Sequence, residues 1–108
     1  DQVPKLNSGA VHSKLFGNNI RYMSLVYKLL KSTSSEVLIA SVTRSFKKRS
    51  LGYEIRFEKL SDLVYSRDKN EHIKAITDAI EAIVLKSPKQ YQWEYKIFKN
   101  RDDIDFYD

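Results

Sequence analysis

The sequence predicts an α/β fold: a partial sheet, one buried strand plus an antiparallel neighbour, packed by two main helices. Three patterns carry this reading. Val37–Val42 is a nearly continuous apolar run rich in β-branched residues, Tyr53, Ile55 and Phe57 alternate with charged residues, and the stretch from Asp68 to Lys86 repeats isoleucine at helical spacing. The order strand, helix, strand, strand, helix, with one strand covered on both faces, belongs to a layered α/β arrangement.

The first strand is weakly marked, around His12. Asn18 or Asn19 can then cap a helix over residues 20–31, because a side-chain oxygen before the first turn accepts from its unpaired N–H groups. Ile20, Met23, Tyr27 and Leu30 recur at helical spacing and Leu25, Val26 and Leu29 widen that face, while Arg21, Ser24, Lys28 and Lys31 fall opposite. So broad an apolar surface suits packing on a sheet. The turn-prone run Ser32-Thr33-Ser34-Ser35 ends it.

Val37–Val42 lacks a helical period, and its length and β-branching predict a strand covered on both faces. A basic loop over 46–52 follows, and beyond it the alternation of Tyr53, Ile55 and Phe57 with Glu54, Arg56 and Glu58 predicts a half-buried strand. The connection is too short for a crossover helix, so the two strands must pair antiparallel. Asp68 and Glu71 have the spacing of a capping box and open the clearest helix of the chain, to about Lys86. Its core stripe is Ile73, Ile76, Ile80, Ile83 and Val84; Glu71, Lys74, Asp78 and Glu81 are wet. Pro88 stops it, since the residue before a proline is driven out of helical geometry.

At 108 residues the chain holds one domain, assigned to 1–101, with an acidic tail over 102–108 formed around Asp102, Asp103, Asp105 and Asp108. The chain begins at Asp1 and is expected to be a piece of a longer protein. Having no cysteine excludes disulfides and thiolate chemistry. No apolar run approaches the ~20 residues that span a bilayer. Net charge is 19 − 14 = +5, and four of the cations, Arg44, Lys47, Lys48 and Arg49, cluster in one loop. Such a loop suits phosphate groups on anionic lipid or nucleic acid; the plainer reading is a solvated polar turn.

The segment Pro88-Lys89-Gln90-Tyr91-Gln92-Trp93-Glu94-Tyr95-Lys96-Ile97-Phe98-Lys99 is the most specialised in the chain. It resembles the closing motif of the bacterial late acyltransferases of lipid A biosynthesis, Pro-x-Gln-Tyr/Trp-x-Trp-x-His-Arg-Arg-Phe/Trp-Lys. Pro88, Gln90, Tyr91, Trp93, Phe98 and Lys99 match it, whereas Tyr95, Lys96 and Ile97 replace its His-Arg-Arg. Asp1-Gln2-Val3-Pro4 resembles the Asp-Gln pair after a central strand of that family, and Gly9 with Phe16-Gly17 resembles its next motif. The resemblance extends from Asp1 to Arg101.

The resemblance implies transfer of a fatty acyl chain from acyl carrier protein to a hydroxyl of a lipid A precursor. It also implies a peripheral place on the cytoplasmic face of the bacterial inner membrane, and no cofactor. The superfamily works with His-x-x-x-x-Asp/Glu: the histidine deprotonates the attacking hydroxyl and the carboxylate orients the ring. His12 is followed at that spacing by Gly17 and His72 by Thr77, so neither fits. No catalytic residue is therefore assigned here, and the dyad is expected upstream of Asp1, leaving this chain inactive by itself. Asp1 and Gln2 are the candidate substrate-binding pair at the end of a central strand, the competing reading being a frayed terminus. Arg44, Lys47, Lys48 and Arg49 are the candidate lipid or phosphate contacts.

His12 reads as an ordinary polar residue and His72 as a solvated one. Trp93 is expected to be mostly buried beside Phe98, with Lys96 and Lys99 in solvent. The competing reading of these aromatics is an interfacial patch. No metal site is expected, without cysteine, paired histidines or carboxylates at ligand spacing. A non-enzymatic basic module binding nucleic acid or an anionic membrane surface is the alternative function; nucleic acid is the weaker partner, because no RNA-binding motif accompanies the charge.

Overall fold

A computed structural model describes residues 10–47, 50–95 and 97–98, with the Lys47 side chain excepted. The order is β1 (Val11–Leu15), β2 (Asn18–Tyr22), α1 (Leu25–Ser32), β3 (Leu38–Lys47), β4 (Ser50–Lys59) and α2 (Lys69–Lys86). Short 3-10 turns lie at Asp62–Tyr65 and Pro88–Gln90. The architecture is mixed α/β, as expected, but its strands form two separate antiparallel hairpins, β1–β2 and β3–β4.

The first hairpin corrects the expected helix over 20–31. Phe16 and Gly17 both have positive φ, 49° and 75°. Positive φ at both central residues is the geometry of a two-residue hairpin turn whose twist matches the flanking strands. Asn18 Nδ2 donates to Phe16 O at 3.0 Å, so Asn18 locks this turn rather than capping a helix. The register Leu15↔Asn18 to Val11↔Tyr22 then makes Ile20 and Tyr22 strand residues. The helix starts only at Leu25. It is anchored by buried Tyr27, whose hydroxyl donates to Arg67 O at 2.6 Å.

β3 and β4 pair antiparallel as predicted, in register from Leu38↔Lys59 to Lys47↔Ser50. The pairing extends into the expected basic loop, so Phe46, Leu51 and Gly52 are strand residues. Neither strand is covered as expected. Tyr53, Ile55 and Phe57 share an exposed face with Leu38 and Val42. Ser41, Thr43, Glu54 and Glu58 share the opposite, partly buried face. Lys86 Nζ on α2 donates to Glu58 Oε1 at 3.0 Å, which helps hold the polar face toward the helix.

α2 matches the sequence reading closely. Asp68 caps it, accepting from the Asn70 N–H at 2.8 Å, but Glu71 accepts from Ser66 Oγ instead of closing a capping box. Ile73, Ile76 and Val84 are buried, while Ile80 and Ile83 are partly so. One cluster joins Val64, Ala75 and Ile76; the other joins Leu15, Ile20 and Phe98; Tyr22 and Ile80 pack against both. Burial raises the Tyr22 phenol above its ordinary 10.0. The folded state therefore holds this proton more tightly than the unfolded chain does, so stability is full below pH 10 and falls as pH rises beyond it. Tyr22→Phe is expected to flatten that alkaline loss in melts followed between pH 9 and 11.

Candidate functional site

The residues that carry the family resemblance converge on the β1–β2 turn and the chain after α2. Phe16 holds a backbone conformation that non-glycine residues seldom adopt. Two contacts from distant parts of the chain support it. Its N–H donates to Glu81 Oε1 at 2.6 Å, and its ring lies 5.9 Å from that of Trp93. Glu81, expected on the wet side of α2, is thus partly buried and bound to the turn.

Trp93 is itself fixed by Nε1–H donating to Pro88 O at 2.8 Å and by edge-on packing with Tyr91 at 4.8 Å. It is 51% exposed, so the expectation of a mostly buried tryptophan is corrected. Phe98 takes the buried place, 8% exposed against Leu15 and Ile20. Tryptophan fits the outer place because its N–H needs a polar partner, here a carbonyl at the rim, while phenylalanine carries no polar atom into the core. Lys96 and Lys99 lie outside the described residues.

Gln90 has the most specific geometry of the set. Its Oε1 accepts from the Arg44 N–H at 2.6 Å, and its Nε2 donates to Arg44 O at 3.2 Å. One side-chain amide thereby satisfies both backbone groups of a residue on the open edge of β3, as a neighbouring strand would. A short chain positions it, since Ser87 ends α2 and Pro88 begins the next turn. Between β3 and α2 lies a cleft of about 230 Å³ lined by Ile39, Thr43, Ile80, Ile83 and Tyr91, with Gln90 at its side. Gln90→Leu keeps the volume and removes both hydrogen bonds. It is expected to cost about 1–2 kcal/mol and to speed amide exchange at Arg44 selectively, read by NMR.

Of the sequence-predicted site residues, Arg44 is exposed on β3 and the backbone of Lys47 closes that strand. Asp1, Gln2, Lys48 and Arg49 lie outside the described residues, as does the tail over 102–108. His12 is exposed on β1. His72 is 1% exposed, which corrects the solvated reading. Its Nδ1–H donates to Val64 O, its ring meets Tyr27 edge-on at 5.3 Å, and Nε2 has no partner among the described residues. The signal was present: His72 lies one helical turn before Ile76, on the core stripe. No cluster of three or more His, Asp or Glu able to hold a metal occurs among the described residues.

The missed residues are Glu81, whose role depends on a turn 65 positions earlier in the chain, and Gln90, whose partner is backbone. Neither leaves a pattern in local sequence beyond the motif itself. A family model described as bacterial lipid A biosynthesis acyltransferase matches residues 3–100. No curated protein and no solved structure gives a significant match. With nearly all of its 108 residues matched and the two family segments meeting at Phe16 and Trp93, the chain belongs to the bacterial lipid A biosynthesis acyltransferases.

Proposed function

We propose that the chain is the C-terminal portion of an acyltransferase that moves a fatty acyl group from acyl carrier protein to a hydroxyl of a lipid A precursor. In this reading the His-x-x-x-x-Asp/Glu dyad comes from sequence upstream of Asp1. The observation that carries it is the family match over residues 3–100, whose two motif segments meet where Trp93 and Glu81 join the Phe16-Gly17 turn to the closing segment. Trp93 and Glu81 brace the turn and Gln90 braces the β3 edge, and in this reading the proton transfer falls to another part of the site. Neither histidine is placed to perform it. His12 is followed by Gly17 at the dyad spacing, and His72 is buried with Nδ1–H committed to Val64 O. Asp1 and Gln2 would stand beside the reacting groups as polar positioning residues.

The parent works at the cytoplasmic face of the inner membrane, where its acceptor lies, and this portion meets that surface peripherally. No helix among the described residues is long and apolar enough to cross a membrane. Arg44, Lys47, Lys48 and Arg49 supply cations for lipid phosphate, each worth about 1 kcal/mol near an anionic surface.

Acyl-carrier-protein thioester and a lipid A precursor, offered to the chain alone, should give no product, while the parent with its upstream sequence should turn over. Replacing the dyad histidine of the parent should end that activity. Turnover by the chain alone, or an upstream sequence without His-x-x-x-x-Asp/Glu, would overturn the assignment. Joint replacement of Lys47, Lys48 and Arg49 by serine should weaken binding to anionic vesicles and remove most of its salt dependence.

A further inference from the structure

We propose that the cavity between the last turn of α1 and the first turn of α2 binds a phosphorylated small molecule, its phosphate group held by Lys31 and Arg67. This goes beyond the acyltransferase reading and does not depend on it.

The cavity has a volume of about 460 Å³, in the range that takes a small ligand, and its wall has two unlike parts. Lys31 and Arg67 bring charge, while Tyr27, Leu30, Tyr65 and His72 bring aromatic and apolar surface. No Asp or Glu is among the described residues that line it. Phosphate suits the first part, and the carbon skeleton of an ester, such as a sugar ring, suits the second.

The wall is fixed before any ligand arrives. The Tyr27 hydroxyl, bonded to Arg67 O, ties α1 to the link that precedes α2. Tyr65 accepts from the Val37 N–H at 3.0 Å, and His72 is held between Val64 O and the Tyr27 ring. A ligand therefore spends little of its binding energy on ordering the protein.

The charges around the cavity lack an anion. Lys31 Nζ lies 4.7 Å and Lys69 Nζ 5.7 Å from the centre of the Tyr27 ring, which puts the two ammonium groups within about 10 Å of each other. Arg67 stands two residues before Lys69. None of the three forms an ion pair among the described residues, whose ion pairs involve other cations. The helix dipole favours Lys31 in the last turn of α1 but opposes Lys69 at the first position of α2. The acidic neighbours in the chain are taken, Asp68 by the Asn70 N–H and Glu71 by Ser66 Oγ. A bound anion relieves the mutual repulsion of these cations.

A segment of the parent protein is the competing occupant. It would have to bring a carboxylate to the same cations, and it would then shut a small anion out of the parent. Binding to the chain and to the parent must therefore both be measured.

The experiment titrates inorganic phosphate and glucosamine 1-phosphate into the chain at constant ionic strength near neutral pH, followed by NMR. Both should give saturable shifts confined to residues 27–31 and 64–72, with the His72 ring among them. The ester should bind more tightly if the aromatic wall contributes, whereas equal affinity assigns the site to the phosphate group alone; either supports a phosphate site. Lys31→Gln with Arg67→Gln should weaken binding at least tenfold without moving the melt, since both side chains are exposed and the Arg67 carbonyl that holds Tyr27 is kept. Lys69→Gln should weaken it about threefold, the charge being beside the cavity rather than in its wall. Lys74→Gln with Lys89→Gln makes the same change in net charge away from the cavity and should leave affinity within twofold. Shifts that rise linearly without saturating, or equal weakening by the two double variants, would reduce the effect to general charge attraction and overturn the proposal. Binding by the chain that the parent lacks would give the cavity to an upstream segment and overturn it as well. Turnover by the parent and its dependence on the dyad are read separately, so failure here leaves the acyltransferase assignment standing.

Discussion

Ile76→Asp is expected to abolish cooperative folding. Ile76 is buried with Val64 and Ala75, beside Tyr22 and Ile80 that link this cluster to the one around Leu15. A carboxylate placed there loses its hydration among Val64, Ala75 and Ile80. Protonating it to escape the charge still leaves a buried polar group, so the cost is several kcal/mol on either route. Domains of this size have roughly 5–15 kcal/mol in all. Far-ultraviolet circular dichroism against temperature should show no cooperative transition above room temperature. Ala82→Asp is the control, because Ala82 is exposed on the same helix. A melt of Ile76→Asp at the native midpoint would mean that α2 does not bury this stripe.

Phe98→Ala should be the second most damaging change, and it should exceed Trp93→Ala. Phe98 is buried against Leu15 and Ile20, and emptying such a site typically costs about 3–5 kcal/mol from lost transfer energy and the cavity left behind. Trp93 is the larger ring but only half-buried, so area removed from water puts its truncation at roughly 2 kcal/mol, including the hydrogen bond to Pro88 O. Denaturant midpoints of the two variants decide the order. Trp93 fluorescence gives an independent reading: partial accessibility should give an intermediate emission maximum and appreciable iodide quenching. If Trp93→Ala proves the more costly, the closing segment is anchored by its tryptophan and Phe98 is peripheral.

Both predictions rest on features of unequal visibility in the sequence. α2 was legible because its signals are local and agree: Asp68 precedes it, isoleucines recur at its period, and Pro88 follows it. The antiparallel pairing of β3 and β4 was legible because a short connection permits nothing else. The strand over 18–22 was not. Ile20, Met23, Tyr27 and Leu30 satisfy a helical count equally well, and the choice falls to the Phe16-Gly17 turn, whose conformation is supported by Glu81 and Trp93 far along the chain.

The side on which each strand faces shows the same division. Alternation told which residues of β4 share a face: Tyr53, Ile55 and Phe57 on one, Glu54, Arg56 and Glu58 on the other. It could not tell which of those faces turns inward, because period two is symmetric and the choice depends on a partner that lies elsewhere. Lys86 and Gln90 mark that choice here, turning the charged face toward α2 and leaving the aromatic one outside. By itself the sequence determined the two-helix α/β composition, the antiparallel hairpin, the long helix and the family, all of which depend on neighbours in the chain or on an ordered motif. The tertiary structure alone decided the first hairpin, the exposure of Trp93 and the outward face of β3–β4. Each of those is set by a contact between residues far apart in sequence.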